Sequence, residues 1–371
     1  MSALTAQLQG FVLLLGFLLL FLPNPVAALS MALISPGKSS EPYWIEATTA
    51  MQQAAEQLGV ELEVFFAERN HLKQIQLTQQ IAARDPAKHP NYLILLGSKG
   101  TLSAQLDTAS DARIPTLLAF NTVTPADRSL VGYPREKHPL WLGSVAADAE
   151  EGGYLLATSL FDQALSRLPP DATPELIAIA GDRSSGTSIG RNLGLHQALS
   201  EFPQIRLRQM VFADWSGSKA KQQTEHLLKR YPRAQLVWAA SDLLAYGAIE
   251  ALALETAPRG DVFIGAINIT DRALKSVVSN EFTTLAGGHH MAGAWAVVML
   301  YDHYHGYDFS HLEDGTERNY SMFSLLTPAL ASQLLSNKEH RMPDFCLFSR
   351  ACNPDWSGYD FSFAGWLDAD Q

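Results

Sequence analysis

Cysteine is nearly missing from this chain: two of 371 residues, Cys346 and Cys352, close together near the C-terminus. Two thiols do not make a four-ligand metal site, and no matching set of further ligands stands near them. Basic clusters are missing as well. Lys and Arg total 27 against 38 Asp and Glu, a net charge of −11 with a pI near 5.4, which argues against nucleic acid as a partner. Catalytic signatures are scarce. No Gly-x-Ser-x-Gly elbow surrounds Ser184 or Ser185; Gly186–Gly190 has that spacing about Ser188, but no paired acid and base stand out with it, and Gly181–Thr187 lacks the lysine of a phosphate-binding loop. The carboxylates Asp148, Glu150 and Glu151 fall at the start of a helical pattern, where the helix dipole accounts for them. No enzyme and no cofactor are expected, and a periplasmic hydrolase is the weakest alternative.

Long apolar runs are also few. The most prominent, Phe11–Leu22, is shorter than the ~20 residues that span a bilayer. It is followed by Pro23-Asn24-Pro25 and by small residues at Val26 and Ala28, the pattern of a signal peptide cleaved after Ala28. No Lys or Arg precedes the run, the first basic residue being Lys38, which departs from the usual signal pattern. The expected compartment is the periplasm. There Cys346 and Cys352 are expected to form a local disulfide, worth about 2 kcal/mol by chain entropy; free thiols or an intermolecular bridge are the alternatives.

What the chain does have is alternation. The run Leu176–Ala180 is apolar throughout and short, as a strand buried on both faces should be. A polar turn, Arg183–Ser188, follows. Then Ile189, Leu193, His196 and Leu199 recur at helical spacing. The same strand–loop–helix unit repeats before it, with strands at Leu29–Ile34, Val60–Phe66, Tyr92–Leu96, Ile114–Phe120 and Trp141–Val145. It repeats after it at Ile205–Ala213, Leu236–Ala240, Val262–Ile267 and Phe282–Ala286, and Tyr320–Leu326 reads as a last strand. Pro42-Tyr43-Trp44 read as a polar loop before a helix whose apolar face runs from Ala47 to Leu58. Strands alternating with helices predict an α/β chain with parallel sheets covered on both faces, and the length suits two such sheets.

Four segments, in order, resemble the type I periplasmic binding proteins typified by the ribose-binding protein. They are Gly186–Arg191, Ala213-Asp214-Trp215, Ala239–Ile249 and Gly265–Asn268, and the resemblance runs through the mature chain to about Leu326. It implies two Rossmann-like lobes joined by three hinge crossovers near Val145, Gly287 and Leu326, with ligand between lobes that close by bending. The implied division is 29–145 with 288–325 as the N-terminal lobe, and 146–287 with 326–336 as the C-terminal lobe. Residues 337–371 form an aromatic extension that either wraps a lobe or docks a membrane partner. By resemblance, Tyr43 and Trp44 face one side of a sugar and Trp215 the other, while Asn121, Asp148, Arg191, Ser241, Asp242 and Asn268 hold its oxygens. Aromatic rings against C–H faces, with charged and amide groups in the ring plane, suit a carbohydrate. On the residues alone, Tyr43 and Trp44 could instead staple a helix entry, and Trp215 could be core.

The chain departs from the ribose pattern at Gly287, where that type has Gln, and at Asn121-Thr122, where it has Asp-Arg; one arginine of the sugar-binding set is thus missing. The implied role is a monomeric receptor that captures a small carbohydrate-like ligand for an inner-membrane ABC permease or a membrane sensor. Gly287–His290 and Tyr301–Phe309 resemble a sensory branch that includes autoinducer receptors. A metal-binding receptor using His289, His290, His303, His305 and His311 is the alternative, disfavoured because His303 and His305 diverge on a helix.

Overall fold

A computed structural model of the chain describes residues 28–254, 261–313, 315–337 and 342–368. The expected signal peptide, apart from Ala28, lies outside the described residues. Two six-stranded sheets organise the rest. The first has the order β11-β5-β4-β3-β1-β2, where β1 is Ser30–Ser35, β2 Glu61–Phe66, β3 Tyr92–Leu95, β4 Thr116–Ala119, β5 Trp141–Ala147 and β11 Glu317–Tyr320. The second has the order β12-β10-β9-β8-β6-β7, where β6 is Glu175–Ala180, β7 Arg206–Phe212, β8 Ala234–Ala239, β9 Phe263–Ile267, β10 Thr284–Gly287 and β12 Ser324–Leu325. Every pairing is parallel except that of β12 with β10. The central strands β3, β4 and β6 are buried along their whole length, which is why they read as unbroken apolar runs. Both sheets are doubly wound, as expected. Strand order reverses between β1 and β3 in one and between β6 and β8 in the other, and the loops at those reversals are where such sheets hold ligands.

Helices cover the sheets: α1 Pro42–Gln57, α2 His71–Ala82, α3 Leu102–Asp111, α4 Pro125–Val131, α5 Ala149–Arg167, α6 Gly186–Glu201, α7 Gly217–Arg230, α8 Asp242–Leu252, α9 Asp271–Val278, α10 Ala292–Tyr304, α11 Pro328–Ser336 and α12 Phe363–Asp368. Most begin on a side-chain cap, among them Asn70, Asp148, Ser185, Ser216, Ser241 and Thr270, each accepting N–H groups of the first turn. Among the helices that escape the apolar-periodicity reading are α4 and α11. Both open on Thr-Pro, with Thr124 or Thr327 as cap and proline in the first turn, so a signal was present in their first residues.

The chain passes between sheets three times, after Ala147, after Gly287 and between Tyr320 and Ser324. Two expected boundaries need correcting. Ala146 and Ala147 still pair with Asn319 and Tyr320 in the first sheet, so the break at 145/146 falls early. Ser324 and Leu325 pair with Gly287 and Ala286 in the second sheet, so the break at 325/326 falls late. The expected single strand Tyr320–Leu326 is two short strands in different sheets, with Ser321-Met322-Phe323 as the link.

The extension beyond α11 packs on the first lobe. Phe345, Phe348 and Phe361 surround the buried Trp295 of α10 at centroid distances of 4.7–5.5 Å. Asp302, fully buried at the end of the same helix, accepts from Ser349 Oγ, the backbone N–H of Arg350 and Ala351, and the Tyr359 hydroxyl. Cys346 and Cys352 are joined in a disulfide within this segment, their Cα atoms 5.2 Å apart.

Candidate functional site

The reversal loops of the two sheets face each other across a cavity of about 160 Å³. From the first lobe come Pro36 after β1, Leu96, Gly97 and Ser98 after β3, Phe120 and Asn121 after β4, and the first turn of α1. From the second come Asp182 and Ser185 after β6, Trp215 after β7, Ser241 and Asp242 after β8, and Asn268 and Thr270 after β9.

Tyr43 and Trp44 belong to the first turn of α1 rather than to a loop, because Pro42 at the helix start supplies the right φ and has no N–H to leave unpaired. Trp44 lies on Gly37, where a Cβ would come within 1.9 Å of its Nε1, and meets Phe120 edge to face at 5.2 Å. Opposite, Trp215 rests on Gly181: a Cβ there would sit 2.2 Å from its Cζ2. Asp214 and Trp215 both have positive φ, +49° and +58°, a conformation costing of order 1–3 kcal/mol per non-glycine residue that surrounding structure must hold. Asp182 does the holding. Its Oδ2 accepts from Trp215 Nε1 at 2.6 Å and from Ser185 Oγ at 2.8 Å, and its Oδ1 takes the N–H groups of Ser184 and Ser185, both at 2.7 Å. Burial works against the charge of Asp182, but these donors together hold its carboxyl below the ordinary range.

Asp242 is the second fixed carboxylate. Oδ1 accepts from Asn268 Nδ2 and from the Leu243 N–H at 2.5 and 2.7 Å, and Oδ2 from Thr270 Oγ1 at 2.6 Å. Here burial wins and the pKa is raised, against those same donors. Asn268 has φ +147° and is thereby aimed at Asp242. Arg191 comes from the second turn of α6, held close because α5 and α6 cross backbone to backbone: a Cβ on Gly194 would fall 2.0 Å from Glu150 O, and one on Gly153 2.1 Å from Arg191 O. Arg191 is 2 % exposed. Nη1 donates to Ala240 O at 2.6 Å and Nη2 to His289 Nε2 at 2.9 Å. Burial pushes its pKa down to about 10, with Tyr43 and Asp242 opposing.

Of the nine expected ligand residues, eight line this cavity: Tyr43, Trp44, Asn121, Arg191, Trp215, Ser241, Asp242 and Asn268. Asp148 does not. Its Oδ1 accepts the N–H groups of Glu150 and Glu151, both at 3.0 Å, so it is the cap of α5. Asn121 is committed in part, its Nδ2 donating to Gly97 O at 2.8 Å. Sequence reasoning missed Asp182, Arg69, Arg272 and His289. Asp182 and Arg69 each stand two or three residues past a strand end, the position from which crevice residues come, so that signal was available. Arg69, bonded to Glu41, and Arg272, stacked 3.5 Å over Tyr246, bring guanidinium groups to a site that reads as short of one. The histidines of the metal alternative disperse: His289 meets Arg191, His290 meets Trp366 edge to face, His303 bonds the Tyr92 hydroxyl, and His305 bonds the preceding helix at Tyr301 O. Among the described residues no three His, Cys, Asp or Glu side chains converge as metal ligands would.

Residues 31–308 match the family model described as a periplasmic binding protein domain. The chain is a type I periplasmic binding protein. Within the ribose-binding-like group of that family, this binding protein is 31 % identical to a periplasmic sugar-binding protein of Pseudomonas fluorescens, with a TM-score of 0.79 over 90 % of this chain and 98 % of the other. It is 25 % identical to a D-apiose import binding protein of Paraburkholderia graminis, over 69 % of this chain and 74 % of that one. To the D-allose-binding periplasmic protein of Escherichia coli it is 21 % identical, over 71 % and 81 %.

Proposed function

We propose that this binding protein captures one neutral monosaccharide in the periplasm, closes its lobes on it, and delivers it as a monomer to an inner-membrane ABC permease. The carrying observation is the cavity wall. Tyr43 and Trp44 on one lobe and Trp215 on the other offer aromatic surface for C–H faces, while Arg191, Asp182, Asp242 and Asn268 are fixed beside them for hydroxyl oxygens. The charges of the wall support an uncharged ligand, since Glu41, Asp182 and Asp242 are matched by Arg69, Arg191 and Arg272. The names of the relatives, which concern apiose, allose, galactofuranose and ribose, point to the same class.

The test is thermal unfolding of the chain without residues 1–28, screened against pentoses, hexoses, their furanose forms, sugar acids, amino acids and divalent metals. A monosaccharide at one hundred times its Kd adds about 2.7 kcal/mol of stability, and Arg191→Ala and Trp215→Ala should each remove that gain while still folding. Stabilisation by an amino acid, a sugar acid or a metal alone would sink the reading.

A further inference from the structure

His289 stands just past the second crossover, where Gly288 turns the chain at φ +121° so tightly that a Cβ would meet Met322 O at 2.2 Å. The residue is 6 % exposed. It stacks on Tyr43 of α1 (5.0 Å, 16°) and on Phe323 of the third crossover (4.7 Å, 21°). Both rings lie near-parallel to the imidazole, one carried by α1 and the other by the third crossover. Its edge makes the polar contact, where Nε2 receives Arg191 Nη2. An arginine N–H can only donate, so Nε2 carries the lone pair and the ring proton sits on Nδ1. Two buried N–H groups at this wall then have no partner among the described residues, Arg191 Nε and His289 Nδ1. Unpaired buried donors are costly, and an acceptor oxygen brought into the cavity would relieve that cost.

We propose that His289 is the positioning residue of the ligand site: held rigid by Tyr43 and Phe323, it serves as the neutral acceptor that fixes Arg191 against Ala240 O and leaves the Nε–H donor for a sugar oxygen. The proposal rests on reading the cavity as a sugar site. Its geometric half concerns the protein alone, and it ties the arginine to two of the three crossovers, since Phe323 lies in one and His289 beside another. A lysine or a protonated imidazole at position 289 would face the guanidinium as a like charge and lose the contact.

Two variants separate ring from acceptor. His289→Phe keeps an aromatic ring for the stack and removes the acceptor; His289→Gln removes the ring and keeps a carbonyl oxygen that can accept. In nitrogen-15 NMR of the mature chain, wild-type His289 should show a neutral imidazole protonated at Nδ1, and the Arg191 Nε–H should be a sharp, slowly exchanging resonance. That resonance should persist in His289→Gln and broaden in His289→Phe, with both variants folded by circular dichroism. A charged or Nε2-protonated imidazole, or an Arg191 resonance unchanged in His289→Phe, would overturn the proposal. Calorimetry with D-apiose, D-allose and D-ribose completes it. For whichever binds wild type, His289→Phe should weaken affinity about tenfold or more and His289→Gln by less than about threefold. Equal losses would reduce His289 to packing. Should none of the three bind, the sugar reading is what suffers, and the NMR arm still decides whether His289 positions Arg191.

Discussion

At the scale of single residues, the site is built by side chains that immobilise other side chains. Trp215 keeps its place because Gly181 has no β-carbon and because Asp182 takes its indole N–H. Gly181→Ala should therefore drive the ring off its seat and cost about tenfold or more in ligand affinity with little change in secondary structure, as calorimetry and circular dichroism would show. His289 gives a pH prediction. In the unfolded chain an imidazole takes its proton near pH 6.5, whereas burial, then Arg191 and His290, keep His289 neutral in the native state to well below that. Below about pH 6.5 the unfolded chain binds a proton that the native chain refuses. Stability is thus complete above that pH and falls toward acid by up to about 1.4 kcal/mol per pH unit for this one group, until the native pKa is passed. Urea midpoints at pH 7.5 and 5.5 check the drop, which His289→Gln should lessen. Such hydrogen-bonded supports leave little trace in sequence. Trp215 and Arg191 stand in segments with a recognisable pattern. Asp182 and His289 acquire their roles only through a bond to a residue 33 or 98 positions away, and Asp148, polar and just past a strand, is occupied by its own helix.

At the scale of elements, apolar runs and helical spacing locate the β-α units because burial on both faces forces each central strand to be apolar along its whole length. The edge regions follow weaker rules. Met322 and Phe323 are apolar and buried, so Tyr320–Leu326 looks like one strand, yet the segment is a link whose ends pair in different sheets. Nothing in a period-two pattern records a change of partner. The C-terminal extension is legible as aromatic and therefore as packing, but its anchor is a carboxylate. Asp302→Ala would strip a buried acceptor from Ser349, Arg350, Ala351 and Tyr359 at once and should cost about 2–4 kcal/mol, measurable by urea unfolding. Asp302→Asn, which retains one carbonyl oxygen, should cost less.

At the scale of the whole molecule, the lobes also meet outside the cavity. Lys99 Nζ of the first lobe lies 3.9 Å from Asp214 of the second, both side chains being nearly half exposed. An ion pair so exposed is worth about 0–1 kcal/mol. Lys99→Ala should therefore weaken affinity by no more than about fivefold at low salt and leave it unchanged at high salt, which calorimetry at two ionic strengths would show. The lobes are also interleaved along the chain. Gln57 at the end of α1 donates to Pro343 O and accepts from the Phe345 N–H, partners 286 and 288 residues away. The first lobe thus cannot be completed around Gln57 until a segment 286–288 residues further along the chain has arrived. Contacts of such long span slow folding, and a lobe left unfinished over so long a stretch of chain is one that a translocation channel can still thread.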